Sequence, residues 1–380
     1  DGACSALLLR TSRRNAVHHH RWAVRMWDRL RQAPSEEQAL LVDAAARDER
    51  SWALAVRICN ASVANAAHQA PEALRLARLA VRIAGQCPLA EVSRKRLAGW
   101  CEPFLGNSHR VAGDLNAADE AFAQADRHWK QGEGGDPAGL LDATRRLDLK
   151  ASLLRQRGKF PEAHLLLDKA LAASPPEAAA RLLIMKATTH TRAGDYEKAI
   201  EVLRDAEPRI DPKREPRLVY GYHFSLANNL AHLDRYTEAE GMMGRVELLA
   251  AKLRRDLDTW RNRWLRGRIC LGLGRQTEAL SALTQVREHF ERERIPFDFA
   301  LVSLELATTH QEQGHTRTVR ELADGMFWIF DSQKVHEEAL AALTLFCQAA
   351  KKDAAGADWT RRLVKYLYRA QYNPKLCFEG

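Results

Sequence analysis

Histidine and cysteine are the residues of this 380-residue chain best suited to bind a metal or to act as catalytic groups, with fourteen of the former and seven of the latter. The cysteines are scattered, odd in number and without a Cys-x-x-Cys pair, which argues against a zinc cluster and against a disulfide framework. His18, His19 and His20 are adjacent and cannot converge on one metal ion from a single helix. No phosphate-binding glycine loop, Gly-x-Ser-x-Gly or His-Glu-x-x-His sequence occurs. We therefore expect neither enzymatic activity nor a cofactor.

Charge and composition limit the class of protein. Hydrophobic residues make up 46% of the chain and charged residues 28%, with a net charge of +9. No run of 18 apolar residues occurs, so we expect a cytoplasmic protein with reduced thiols. Seven arginines lie within residues 1–31. This basic segment is suited to contact nucleic acid or an acidic protein, but it is equally typical of a solvated helix face.

These residues must be positioned by elements that repeat along the chain. A turn residue is followed five positions later by alanine at Gly113, Gly158, Gly194, Asp234 and Gly274. Weaker copies begin at His68 and Gly314, and successive turns are 36 to 45 residues apart. Such a period predicts a repeat architecture of helix pairs, each joined by a tight turn.

Four columns agree when the seven copies are aligned on the turn residue. Positions 5, 9 and 12 after the turn are apolar in every copy, and position 7 before it is always alanine or glycine. The small residues before the turn are Ala61, Gly106, Ala151, Ala187, Ala227, Gly267 and Ala307. Small residues on both helices predict closely packed antiparallel pairs, with large apolar side chains filling the seam.

The columns, together with the Gly-x-Tyr-x-x-Ala sequence that starts at Gly194, resemble the tetratricopeptide repeat family over residues 50–330. The resemblance implies an all-α fold, an α-solenoid with a right-handed superhelix of about seven helix hairpins. The units exceed the usual length of about 34 residues and are similar to those of bacterial regulatory members of the family, which often follow a DNA-binding or effector domain.

The same resemblance predicts three regions. Residues 1–50 are expected to form a basic N-terminal helical cap, residues 51–345 the solenoid, and residues 346–380 a C-terminal capping helix and tail. The C-terminal helix is expected because the last repeat must cover its apolar core. The alternative reading of this segment is a docking tail for another protein.

A polar column on the first helix of each pair indicates a binding surface. The position six residues before the turn holds only Ser, Thr, Asn or Arg in the seven copies, and neighbouring positions on the same helix add Arg and His. In the family the first helices line the concave face, and an Asn at this position commonly holds a peptide main chain. We expect a basic groove formed by Asn107, Arg110, Arg145, Ser152, Arg155, Arg181, Thr188, Asn228, His232 and Arg268.

These patterns predict an interaction module that binds a peptide or protein segment and acts as a regulator or scaffold. Two alternatives remain open. The repeats are also suited to be the sensor part of a DNA-binding transcriptional regulator, or a subunit that controls an effector enzyme in a defence or stress system.

Overall fold

The computed structural model describes residues 13–66, 69–253, 256–330, 335–373 and 376–378, and within these ranges the regular structure is helical, as the sequence predicts. The α-helices are α1 Arg13–Gln32, α2 Ser35–Ala46, α3 Ser51–Ala66, α4 Ala70–Gln86, α5 Glu91–Val111, α6 Leu115–Gln131, α7 Ala143–Gln156, α8 Phe160–Ala173, α9 Pro176–Ala193, α10 Tyr196–Ala206, α11 Pro216–His232, α12 Tyr236–Leu253, α13 Asp256–Gly272, α14 Gln276–Arg292, α15 Pro296–Glu312, α16 Thr316–Asp324, α17 Glu337–Lys351 and α18 Ala357–Ala370. No helix in the described part of the chain is both long enough and apolar enough to cross a membrane.

The helices form two compact units. Unit 1 comprises Asp1–Leu154 and Asp168–Ala173, and unit 2 comprises Arg155–Leu167 and Ser174–Gly380. This partition follows packing. The division into an N-terminal cap, a solenoid and a C-terminal cap stays a prediction.

Tight turns join the helix pairs that follow one another from α3–α4 to α15–α16. The turn residue has a positive φ in six of them, including 89° at Gly194 and 58° at Asp234. This left-handed backbone ends the first helix and lets the second return antiparallel. The seventh predicted turn, at His68, lies outside the described residues.

The aligned columns form the seams between paired helices. All residues at positions 5, 9 and 12 after the turns are buried, with at most 3% of their surface exposed. A Cβ atom added at Gly267 would lie 2.8 Å from Cδ2 of Leu283, and one at Gly106 would lie 2.7 Å from the ring of Phe122. Only a small residue fits at these two positions, so the predicted register is confirmed.

In unit 1, α1 packs against α3 and α2 against α4. Ala23 and Leu30 bury the apolar side of α1, and Trp52 of α3 donates its indole N–H to Nδ1 of His19 at 2.9 Å. The opposite side of α1 carries exposed arginines, among them Arg21 and Arg25. The amphipathic pattern of this segment therefore decides which side of α1 is buried.

In unit 2, each helix from α9 to α17 packs against the next helix in the chain. The last helix departs from this order, because α18 packs more extensively on α15 than on α17 and also contacts α9. Leu363 and Leu367 of α18 are fully buried in the apolar cluster of α15 and α17. The C-terminal helix thus lies across the first helices of several pairs.

Candidate binding site on unit 2

The side of unit 2 that contacts α18 is built by first helices of four successive pairs. We call it the α18-binding surface and define it by the six residues that touch Tyr368, Gln371 or Tyr372. These residues are Arg192 of α9, His232 of α11, Trp264 and Arg268 of α13, and Asp298 and Glu305 of α15. Because the repeat presents the same side of each first helix, residues about 40 positions apart in sequence meet here.

Glu305 is the centre of this surface. Its Oε1 atom accepts a hydrogen bond from the Tyr368 hydroxyl at 2.6 Å, and its Oε2 atom accepts one from the Trp264 indole N–H at 2.6 Å. The Arg268 Nε atom lies 3.4 Å from Oε1. Burial raises the pKa of Glu305, while Arg268 and the two donors act in the opposite direction. Three donors from two helices therefore compensate a carboxyl that is only 8% exposed.

Arg268 links Glu305 to the neighbouring repeat. It donates to the Asn228 side-chain oxygen at 3.1 Å, lies 3.3 Å from Nδ1 of His232, and places its guanidinium 4.8 Å from the Tyr368 ring centre. The His232 ring stacks on Tyr196 at 4.4 Å and meets the Tyr368 ring edge-on at 4.9 Å. Burial, with a smaller effect of Arg268, holds the pKa of His232 well below its usual value, so this imidazole is neutral at physiological pH.

Asp298 provides a second polar contact two helical turns from Glu305 on α15. Its Oδ1 atom accepts a hydrogen bond from the Gln371 side-chain amide at 2.8 Å. Burial raises the pKa of Asp298, and Arg261 partly offsets this. The next residue, Tyr372, lies under the Arg192 guanidinium at 4.1 Å. Two carboxyl groups and two guanidinium groups thus contact Tyr368 of α18 and the two residues that follow the helix, Gln371 and Tyr372.

Three of the sequence-predicted residues in unit 2, Asn228, His232 and Arg268, come together in this network. Thr188 is half-buried and donates its hydroxyl to the Ile184 carbonyl of its own helix at 2.8 Å. Arg155 is buried at the end of α7, and Arg181 is half-buried on α9. A ligand-binding role for all six stays a prediction.

The predicted residues of unit 1 make local contacts within their own helices. Asn107 accepts a hydrogen bond from Arg110 at 2.9 Å, and Arg145 pairs with Asp148 at 2.7 Å. Ser152 donates to the Asp148 carbonyl at 3.2 Å. Such i, i+3 and i, i+4 contacts orient the side chains along one helix face. Their role in ligand binding also stays a prediction.

Sequence reasoning missed the carboxyl groups and the C-terminal side chains of the site. Asp298 and Glu305 are the acidic residues of an otherwise largely apolar stretch, seven positions apart and hence on one face of α15. Tyr368 of α18 and the two residues that follow the end of the helix, Gln371 and Tyr372, have i, i+3, i+4 spacing. Acidic residues inside an apolar helical stretch were the signal that the sequence offered, because an acidic side chain that such a helix buries needs hydrogen-bond or charged partners.

Groups of three or more His, Cys, Asp or Glu side chains placed to hold a metal ion are absent from the part of the chain that the structure describes. On α1, Arg21, Arg25 and Arg29 are exposed, and Arg31 pairs with Asp28 at 2.9 Å. The remaining arginines of the basic segment have no described side chain. No finding supports nucleic acid as a partner of this helix.

Comparisons with known proteins find a repeat in part of the chain and a similar fold in a solved structure. Residues 154–219 match a family model described as tetratricopeptide repeat. A solved structure of a Rap protein complexed with competence and sporulation factor is 13% identical, with a TM-score of 0.56, and the match covers 84% of this chain and 82% of that chain. The apo form of RapI is 14% identical, with a TM-score of 0.49 and coverages of 79% and 85%. No curated protein matches the chain.

Proposed function

We propose that this chain, in which residues 154–219 match a tetratricopeptide repeat model, is a non-enzymatic interaction module that binds a peptide or protein segment. One observation carries the proposal: the α18-binding surface already holds a helix and the residue after it, because Glu305 and Asp298 accept side-chain hydrogen bonds from Tyr368 and Gln371. A surface that recognises one segment of chain in this way is suited to recognise another.

The chemistry of the surface suits selective binding. Glu305 and Asp298 are at most 9% exposed, so a ligand that does not supply donors would leave their carboxyl groups unpaired. Leaving such groups unpaired costs more free energy than a good hydrogen bond gains. The surface therefore discriminates between segments chiefly by rejecting those that lack donors in the right places.

We further propose a regulatory role in the cytoplasm. The Rap protein with the same fold is complexed with competence and sporulation factor, and a comparable complex with a factor or protein segment is our proposal for this chain. The six cysteines of the described residues are free thiols, which is typical of a reducing compartment.

Affinity purification from the native host, followed by mass spectrometry, tests the proposal. The tagged wild-type chain is compared with the triple variant Asn107→Ala/Arg181→Ala/Asn228→Ala. We expect a protein or peptide that co-purifies stoichiometrically with the wild type and is depleted at least tenfold from the triple variant.

A matched control is the double variant Lys198→Ala/Arg204→Ala, which removes two exposed charges from the second helix α10. This control should retain the partner. Equal recovery with the triple variant, or loss with the control alone, would move the binding site away from the predicted polar columns.

A further inference from the structure

The position of α18 is that of a bound segment. Along unit 2 the helices pack in chain order, but α18 packs more extensively on α15 than on α17, the helix that precedes it, and reaches α9. A helix that only continued the repeat would form a hairpin with α17. The helix instead lies on the first helices, which are the helices that carry the predicted polar columns.

The contacts of α18 fall into two classes. Leu363, Leu367 and Ala370 are fully buried and supply the apolar contact. Tyr368 and Gln371 supply the polar contact, through Glu305 and Asp298. Buried carboxyl groups cost desolvation free energy, and apolar residues of similar size would hold a permanent helix at least as well. The carboxyl groups thus contribute selectivity for a particular helix.

We infer that the α18-binding surface is a receptor site for an amphipathic helix of another protein, one that carries a tyrosine and, three residues later, a side-chain amide, and that α18 is an intramolecular copy of this ligand. The inference rests on the proposed function and adds the chemistry of the partner. An external helix gains the site by displacing α18.

The short connection between α17 and α18, which acts as a tether, explains why α18 occupies the site in the isolated chain. Only residues 352–356 separate α17 from α18. A helix on so short a tether competes at an effective concentration on the order of millimolar. The intact chain is therefore expected to bind an external helix weakly, and cutting the tether or weakening the contacts of α18 is expected to strengthen binding.

The test uses the full chain with a site for a specific protease inserted between Asp353 and Ala354, in the exposed part of this connection. After cleavage, a fluorescently labelled synthetic peptide of residues 357–373 is added and its anisotropy is measured. We expect saturable binding to the cleaved chain, competition by unlabelled peptide, and at least tenfold weaker binding to the uncleaved chain.

Two altered peptides distinguish specific recognition from nonspecific binding. A peptide with Tyr368→Ala and Gln371→Ala lacks both polar contacts and should bind at least tenfold more weakly. A peptide with Lys365→Ala, which removes an exposed charge of α18, should bind like the original. In the cleaved chain, Glu305→Gln should weaken the original peptide and leave the doubly altered peptide unaffected.

A folded cleaved chain that fails to exchange its helix, or that binds both tyrosine-containing and doubly altered peptides equally, overturns the inference. If cleavage unfolds the chain, the uncleaved variant Tyr368→Ala/Gln371→Ala replaces it, and this variant must bind the labelled peptide more tightly than the wild type does. The failures of the two proposals are distinguishable. Loss of a host partner from the Asn107, Arg181 and Asn228 variant without peptide exchange would leave the proposed function and remove this inference. If no protein or peptide co-purifies with the wild type, the proposed function fails and this inference fails with it.

Discussion

Removing the Glu305 carboxyl should destabilise unit 2 more than any single exposed substitution. In Glu305→Ala, the Tyr368 hydroxyl and the Trp264 indole lose their acceptor, and the Arg268 guanidinium loses the carboxylate 3.4 Å away. The side chains of Arg268 and Glu305 are only 13% and 9% exposed, so water does not readily replace the lost partner. Breaking a buried ion pair of this kind costs about 3 to 5 kcal/mol.

The conservative change isolates the charge. Glu305→Gln keeps an oxygen that accepts from Tyr368 or from Trp264, and it loses the ionic attraction to Arg268. We expect a destabilisation of about 1.5 to 3 kcal/mol, in the range of one hydrogen bond to a charged group. The matched control is Glu120→Ala, an exposed glutamate on α6, which should change the unfolding free energy by no more than about 0.5 kcal/mol.

Urea unfolding measures these differences. Circular dichroism follows the helices of both units, and tryptophan fluorescence adds the combined signal of nine tryptophans, among them Trp264, whose indole loses its acceptor in Glu305→Ala. Proteolysis within residues 352–356 gives a local measure, because loosened α18 should expose this connection. If Glu305→Ala unfolds within about 0.5 kcal/mol of the wild type and is cleaved at the same rate, the polar network does not hold α18 and our reading of the surface is wrong.

Further substitutions test the seams between paired helices and a buried carboxyl group. Gly267→Ala places a methyl group 2.8 Å from Leu283 and should lower the unfolding free energy by about 1 to 3 kcal/mol. Gly244→Ala, which has open space around it in helix α12, should instead raise the unfolding free energy by about 0.5 to 1 kcal/mol. Urea midpoints that shift equally in the two variants would contradict the predicted register. Glu102 lies 2.8 Å from His128, and burial raises the pKa of Glu102 to about 8. Between about pH 4.5 and 8 the folded state therefore binds more protons than the unfolded state. The free energy of unfolding should accordingly fall as pH rises from about 4.5 to 8. Glu102→Gln should flatten this fall, and a wild type whose urea midpoint is unchanged between pH 5 and 8 would refute the assignment.

Most of the helix pairing follows from the sequence, because the signal is local and repeated. A turn residue, a small residue before it and apolar residues after it recur seven times in the sequence, and each column is enforced by packing within one pair of helices. Gly106 against Phe122 shows the reason, since both residues belong to one pair and any larger residue at 106 would meet the ring. Because the copies agree with one another, such short-range constraints can be predicted from the sequence alone.

The candidate site is harder to predict from the sequence because its contacts join segments that are far apart in the chain. The polar columns led to Asn228, His232 and Arg268, which the structure brings together on one network. They did not lead to Tyr368, which contacts Glu305 from 63 positions away. The amphipathic pattern of α18 predicts a buried face but does not say which surface buries it. Hydroxyls such as that of Thr188 also bond within their own helix, which a column of residue types does not reveal.

Cross-linking α9 to Tyr372, two residues beyond the end of α18, tests the central claim most directly, namely that the C-terminal helix lies on the first helices of unit 2. Arg192 and Tyr372 are replaced by cysteine in a chain that carries Cys4→Ser and Cys377→Ser, and a short bifunctional maleimide is added. Because the Arg192 guanidinium lies 4.1 Å from the Tyr372 ring centre, we expect an intramolecular cross-link between positions 192 and 372, identified by mass spectrometry. Modification of both thiols by separate reagent molecules, with no link between them, would contradict the account.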